Sequence, residues 1–240
     1  MEPGAPRHLA PRKTPRQARA ATTVDAIFEA TIQVLLADGP LRLTTTRVAE
    51  RAGVSVGTLY QYFPHKQALL YALNERYLDI LAGKVEKTCA AHRDVAIRRM
   101  VEALISTYWQ AKMERADVTR VLYASAVELD NETLIETFVQ RVDTATTAMF
   151  ATAPDARFAD IALVNTTLLS VIFGTVRSIF QRRLPVSLAS EIQGQLLAMC
   201  LSYLEVANLQ QRPVRRGMPA NGEADEPGTF DKPGAKAVPS

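Results

Sequence analysis

Apolar residues recur at spacings of three and four along most of the chain, and nowhere do apolar and polar positions alternate between turn signals. The pattern therefore predicts an all-α protein. A first helix is expected over residues 23–38, with Thr22 or Thr23 as its N-cap. Ile27, Phe28, Ile32, Val34 and Leu35 form its apolar side, and Gly39-Pro40 is its stop. A short helix over Thr45–Ala52, capped by Thr44, is ended by a left-handed Gly53. Ser55 then caps a third helix over Val56–Tyr62, which Pro64 closes. A long fourth helix starts near His65 and carries Leu69, Leu70, Leu73, Tyr77, Leu78 and Leu81 at heptad-like spacing. Further helices are expected over about 94–113, 116–128, 131–151, 155–183 and 188–208.

Two of these helices are apolar on more than one side. In 155–183, Ile161, Val164, Leu168, Val171, Thr175 and Ile179 form one stripe, and Leu169, Phe173, Val176 and Phe180 form another. The last helix sets Leu188, Ile192, Leu196, Met199 and Tyr203 beside Leu197, Leu201 and Leu204. Such a helix needs two packing partners: its own core and a second subunit, or else a deeply buried place in one subunit. A homodimer is expected, with Phe180 and Leu201 at its interface.

Composition narrows the class. With 48% apolar residues over 240 positions the chain can bury a core. Residues 1–66 hold nine basic against five acidic side chains, a net +4, which leaves −1 for the other 174. Positive charge gathered at one end fits a polyanion partner or a solvated basic tail, and the acidic remainder argues against a general DNA-packaging protein. Residues 1–20 and 210–240, rich in Pro, Gly and charge, read as disordered tails. Cys89 and Cys200 stand far apart with no metal-ligand spacing, as buried thiols in a reducing cytoplasm would. The first twenty residues lack an apolar signal region. The longest apolar stretch, Leu163 to Val176, is interrupted by Asn165, Thr166, Thr167, Ser170, Gly174 and Thr175, so no membrane span is expected.

Residues 44–66 read TTTRVAERAGVSVGTLYQYFPHK. Two short helices joined by a Gly-containing turn form a helix-turn-helix, whose second member can lie in a DNA major groove. Ala49, Ala52 and Val54 are compact where the helices must approach. Leu59 and Phe63, four apart, point to the core, which leaves Val56, Gly57, Thr58, Gln61 and Tyr62 facing outward.

Over about residues 23–75 the sequence resembles the DNA-binding domain of the TetR family of bacterial regulators. The likeness rests on a Thr-rich start, Val48-Ala49, Ala52-Gly53-Val54-Ser55, Gly57-Thr58-Leu59-Tyr60, Tyr62-Phe63 and Lys66, in that order. It implies phosphate contacts from Thr45, Thr46, Ser55, Tyr60 and Tyr62, and from Lys66 at the N-terminus of the fourth helix. Val56, Gly57, Thr58 and Gln61 become candidates for base edges: Val56 and the Thr58 methyl for a thymine methyl, Gln61 for adenine, and Gly57 for close backbone approach. Arg47 and Arg42 can reach phosphate or remain solvated. Arg12, Lys13, Arg16 and Arg19 form an arm that can add contacts or lie inert.

The resemblance divides the chain into a basic arm at 1–20, a DNA-binding domain at 21–68, a helical regulatory and dimerisation domain at 69–209, and a tail at 210–240. It implies a cytoplasmic homodimer that represses transcription at a palindromic operator until a small effector releases it. A ligand-independent regulator or an activator is the alternative. Beyond residue 80 no pattern names the effector. Tyr108, Trp109, Met113, Tyr123, Phe138, Met149 and Phe173 are its candidate contacts, although aromatic and Met residues at helical spacing equally serve a core. Few charges fall on these apolar faces, which favours an apolar or weakly polar effector. No cofactor and no metal site is expected, since His8, His65 and His92 share no ligand spacing. Gly53-Val54-Ser55-Val56-Gly57 matches the G-x-S-x-G elbow of serine hydrolases, but that elbow follows a strand and none is expected, so an enzyme is not expected.

Overall fold

The computed structural model describes residues 18–126 and 129–208, and among them the chain is all-α, with nine helices and no strand. Arg12, Lys13 and Arg16 of the basic arm and the tail at 210–240 lie outside the described residues, as does the side chain of Arg19.

Helix α1 (Ala18–Asp38) begins several residues before the expected 23. Ala18, Ala20 and Ala21 are strong helix formers, so Thr22 and Thr23 fall inside the helix instead of capping it. Gly39, at φ 76°, ends it, and a 3₁₀ turn (Pro40–Arg42) follows. Helices α2 (Thr45–Ala52) and α3 (Val56–Tyr62) have the expected limits because their stop signals are local. The Thr44 hydroxyl accepts the Arg47 N–H, Gly53 takes the left-handed conformation at φ 67°, and the Ser55 hydroxyl accepts the Thr58 N–H. His65 caps α4 (Lys66–Ala91) through Nδ1, which accepts the Ala68 N–H at 3.1 Å.

The remaining helices are α5 (Ile97–Met113), α6 (Ala116–Ala126), α7 (Glu132–Phe150), α8 (Ile161–Gln181) and α9 (Val186–Ala207). Helices α5 and α8 start later than expected, and one loop explains both. Asp155 Oδ1 accepts the Ile97 N–H at 2.8 Å, whereas Asp160 caps α8 by accepting the Leu163 N–H at 2.9 Å. Asn208, buried at the end of α9, ties that loop down by accepting the Arg157 N–H and donating to the Asp155 carbonyl, both at 3.0 Å.

Besides a small cluster that pairs Tyr71 with Leu134 of α7, two large apolar cores result, and α4 serves both. Its first turns place Leu69, Leu70 and Leu73 among α1, α2, α3 and the α6 residues Val118 and Leu122. Farther along, Leu81, Val85 and Cys89 join a second core built from α5, α7, α8 and α9. Helix α4 packs most extensively on α7. There Arg141 forks onto Glu86 at 2.8 and 2.9 Å and reaches Asp79 at 2.6 Å. Both thiols, Cys89 and Cys200, are buried and unpaired, and burial pushes each up to about 11.

The last two helices depart from the expected division of faces. Phe180 lies in the core of its own chain with its ring 5.9 Å from Tyr123, so it is no interface residue. Leu201 is half-buried against the same core. The surface is instead apolar at Leu163, Leu188, Met199 and Val206, which are 62%, 40%, 52% and 75% exposed. Leu188, Met199 and Val206 are separated by eleven and seven residues and share one face of α9. Helix α8 is also longer than the stretch judged too short to span a bilayer. It and residues 20–38 of α1 are long and apolar enough to cross one by length and composition. Both are nevertheless partners in protein cores, α8 through Val164, Leu168, Ile172 and Val176. Some of its polar side chains bond within the protein: Thr167 donates to the Leu163 carbonyl and Asn165 Nδ2 to Asp143, although the buried Asn165 Oδ1 accepts no bond.

Candidate nucleic-acid interface

The geometry of the helix pair follows from its smallest residues. Val48 and Ala49 are buried on the inner side of α2, and the turn is locked by the Val54 N–H donating to the Ala49 carbonyl at 3.0 Å. Leu59 and Phe63 anchor the far end, with Phe63 stacked 5.6 Å from Phe28 of α1. Helix α3 is thereby held with Gly57, Tyr60 and Gln61 exposed and Val56 and Thr58 half-buried.

Two expected phosphate ligands fifteen residues apart are brought together: the Thr45 and Tyr60 hydroxyls lie 3.1 Å from one another. Thr46 is exposed on the same first turn of α2. The Ser55 and Thr58 hydroxyls lie 2.8 Å apart at the start of α3, where Ser55 also caps the helix. The row of hydroxyls thus flanks the exposed face of α3. Added Cβ at Gly57 meets only the Ser55 hydroxyl at 3.7 Å, an ordinary contact, so nothing within the fold requires glycine there.

Three residues stand differently from the sequence reading. Tyr62 does not face outward: it is 8% exposed and its ring belongs to the core shared with Phe63. The four-residue spacing of Leu59 and Phe63 defines one buried edge, but α3 is wedged so closely that the adjacent position is covered as well. Arg47 is exposed, yet its guanidinium is bonded to Asp38 at 2.9 Å, so a phosphate must compete with that carboxylate. Lys66 is half-buried at the first turn of α4, where the Ala68 N–H is already taken by His65. Ser55 and His65 serve as helix caps here, and a helix precedes Ser55, so the G-x-S-x-G string is a turn between helices.

The seven candidate effector contacts gather mainly as packed core. Tyr108, Trp109, Phe138 and Met149 are buried, while Met113, Tyr123 and Phe173 are half-buried. Phe173 stacks on Tyr108 at 4.8 Å and on Phe138 at 5.5 Å. Of the seven, Met113 alone lines a described depression, an open one between α4 and α5. A better-formed groove of about 520 Å³ lies between α1, α4 and α6 and includes none of them. It is clasped by ion pairs of Asp25 with Arg76, Glu29 with Arg115, and Lys84 with Glu114.

One residue escaped the sequence reading altogether. Lys112 is buried on the apolar side of α5, contrary to the expectation that charge is scarce there. Its ammonium sits 4.9 Å from the ring centre of Tyr123, 5.0 Å from Tyr77 and 5.9 Å from Tyr108. Burial pushes it down to about 8. The signal was its spacing, since Lys112 follows Met100, Val101, Leu104, Ile105 and Tyr108 in the buried register of the helix.

Comparison with known proteins adds an independent line. Among solved structures the fold is similar to a TetR-family transcriptional regulator from Mesorhizobium loti, with a TM-score of 0.67 at 16% identity over 80% of this chain and 100% of the other. It is also similar to a TetR-family regulator from Marinobacter aquaeolei, with a TM-score of 0.55 at 18% identity over 78% and 97%. Nucleoid occlusion factor SlmA of Actinobacillus pleuropneumoniae is 33% identical over 97 residues, 40% of this chain and 47% of that protein. The chain thus spans about half the length of this curated relative. Residues 20–73 match the family of bacterial regulatory proteins of the tetR type, and residues 96–204 match the tetracyclin repressor-like C-terminal domain. With both halves accounted for, the chain belongs to the TetR family of DNA-binding transcriptional regulators.

Proposed function

We propose that this protein is a cytoplasmic homodimer that represses transcription by occupying a palindromic operator and that a small hydrophobic effector releases it. The observation that carries the reading is the exposed face of α3, with Gly57 and Gln61 bare and the Thr45 and Tyr60 hydroxyls paired beside it. Hydroxyls placed around a short exposed helix suit phosphate anchoring around a groove-reading element. Residues 21–68 are assigned to DNA and 69–209 to regulation and dimerisation. Thr45, Thr46, Ser55, Tyr60 and Lys66 are assigned to phosphate, with Arg47 once released from Asp38. Val56, Gly57, Thr58 and Gln61 are assigned to bases. A regulator, not an enzyme, is the reading for the whole chain, and among the described residues no cluster of metal-binding side chains occurs.

Phosphate and base contacts separate by experiment, because charge neutralisation ignores sequence and groove contacts do not. With an operator selected from random DNA, Lys66→Ala is expected to weaken binding to all sequences. It should reduce the salt slope by about 0.9 per lost contact, hence about twice that for a symmetric dimer. Gln61→Ala should leave that slope alone and change preference at one base position per half-site by roughly 1 to 3 kcal/mol. Unchanged sequence preference in Gln61→Ala and Thr58→Val, together with an unchanged salt slope in Lys66→Ala, removes α3 from the groove.

A further inference from the structure

Among the described residues Lys112 is the one charged side chain that is buried, at 3% exposure. Every described ion pair lies elsewhere, so no described carboxylate neutralises it. The rings of Tyr77, Tyr108 and Tyr123 offer their faces at 4.9–5.9 Å, which offsets part of the lost hydration without supplying a counter-charge. The cage is well braced. Thr119 Oγ1 donates to the Lys112 carbonyl at 2.8 Å, so at 2.6 Å the Tyr77 hydroxyl must be the donor to Thr119.

Tyr77 has a second face of consequence, since it also lines the groove between α1, α4 and α6. The apolar lining of that groove includes Phe28, Ile32, Leu73, Ile80, Val118 and Leu122. Its volume of about 520 Å³ falls within the range of small-molecule sites. The rim carries Asp25, Glu29 and Glu114 against Arg76, Arg115 and Lys84, all paired, so it expresses no preference for charge. Lys112 does not itself line the groove, but its uncompensated ammonium lies 5.0 Å from the ring centre of Tyr77, which does.

We propose that Lys112 anchors an anionic effector: a hydrophobic carboxylic acid whose carboxylate pairs with the ammonium past Tyr77 and whose apolar body fills the groove between α1, α4 and α6. This deepens the effector-controlled reading above and rests on it. The occupant touches the N-terminal core through α1 and Tyr77 and the larger core through Leu81 and Ala111, so its binding is felt in both cores that α4 serves.

Titration gives the site a signature. The ionisable groups around the ammonium are the phenols of Tyr77, Tyr108 and Tyr123, all raised above their ordinary range by burial. Arg177 lies near Tyr123, and Lys84, Glu114 and Arg115 near Tyr77. The change of charge between pH 7 and 9 therefore belongs to Lys112, at about 8.

The test uses the full chain without DNA, read by the fluorescence of Trp109, the single tryptophan, which lies one turn before Lys112 on α5. Decanoate, phenylbutyrate and naphthoate are titrated beside their neutral amides. At least one acid is expected to bind roughly tenfold or more tightly than its amide, the ratio a charge-assisted contact supplies. That preference should vanish in Lys112→Met and weaken about tenfold between pH 7 and pH 9 in the wild type, while amide binding stays level. A fold check by circular dichroism accompanies the variant, and the wild-type pH series stands without it. If no acid outbinds its amide, or if the preference survives in Lys112→Met, the assignment is overturned. Acid binding that depends on Lys112 but leaves operator binding intact upholds the site and overturns only the release mechanism. Release by acid and amide with equal potency does the reverse.

Discussion

At the scale of single residues, a buried cation works against the fold that contains it. Lys112 is ordinarily protonated to about 10.5 when exposed, whereas in the folded chain burial holds it to about 8. Between these values the unfolded chain binds more protons than the folded one, so stability rises as pH increases from about 8 to 10.5, and the whole penalty is present below pH 8. At 1.36 kcal/mol per pH unit the penalty is on the order of 3 kcal/mol. Lys112→Met, with a side chain of similar length and no charge, is expected to raise the unfolding free energy by about that much at pH 7. Its advantage should shrink toward pH 10. Urea denaturation of both proteins at the two pH values checks this, and equal stabilities at pH 7 would mean that the ammonium is not desolvated. The same residue shows why part of the site was hidden in the sequence. A lysine in the register of Leu104 and Tyr108 breaks no helical pattern, and only the packing of Tyr77 and Tyr123 from two other helices makes it a cage.

At the scale of elements, legibility followed how local each determinant was. Helices α2 and α3 were readable to the residue because Thr44, Gly53 and Ser55 act on backbone groups within four positions of themselves. The starts of α5 and α8 were not, because Asp155 contacts Ile97 from fifty-eight residues away and pre-empts the helix that periodicity suggested. Tyr62 was misread for the same reason: its burial is decided by the core around Phe28, which its neighbours in sequence do not encode. Helix α3 itself is only seven residues long and cannot persist alone, so its cap and its anchors Leu59 and Phe63 must hold it. A glycine in its first turn weakens it further, and the fold leaves ordinary room for a side chain there. Gly57→Ala is therefore expected to unfold at the same or a higher temperature, gaining up to about 1 kcal/mol. It should also lose operator affinity by roughly tenfold or more, about 1.4 kcal/mol, where the added methyl meets DNA. Intact affinity in a binding titration would show that the α3 backbone stays clear of the groove.

At the scale of the whole molecule, five of the described large apolar side chains left in water fall on the last two helices, the others being scattered over α1, the 3₁₀ turn, α3, α4 and α7. Leu188, Met199 and Val206 share a face of α9, and Leu163 stands exposed on the neighbouring α8. Met199→Asp is expected to convert a dimer to monomer in sedimentation without unfolding it, because Met199 is exposed in the isolated chain and a carboxylate is costly only where a partner covers it. A dimer that survives Met199→Asp and Leu188→Asp alike places the interface elsewhere. Helix α4 then sets how far a small disturbance travels. Its twenty-six residues form one rod shared by both cores, about 39 Å long at 1.5 Å per residue. A pivot at one end of such a rod by about 5° carries the other end through roughly 3 Å, about one base-pair step, while every helix keeps its length. Two such rods in a dimer that must meet half-sites about 34 Å apart would leave register together. In the effector-controlled dimer proposed above, the unit of control is thus an angle, and distances between paired labels on the two α3 helices will register it where circular dichroism sees no change.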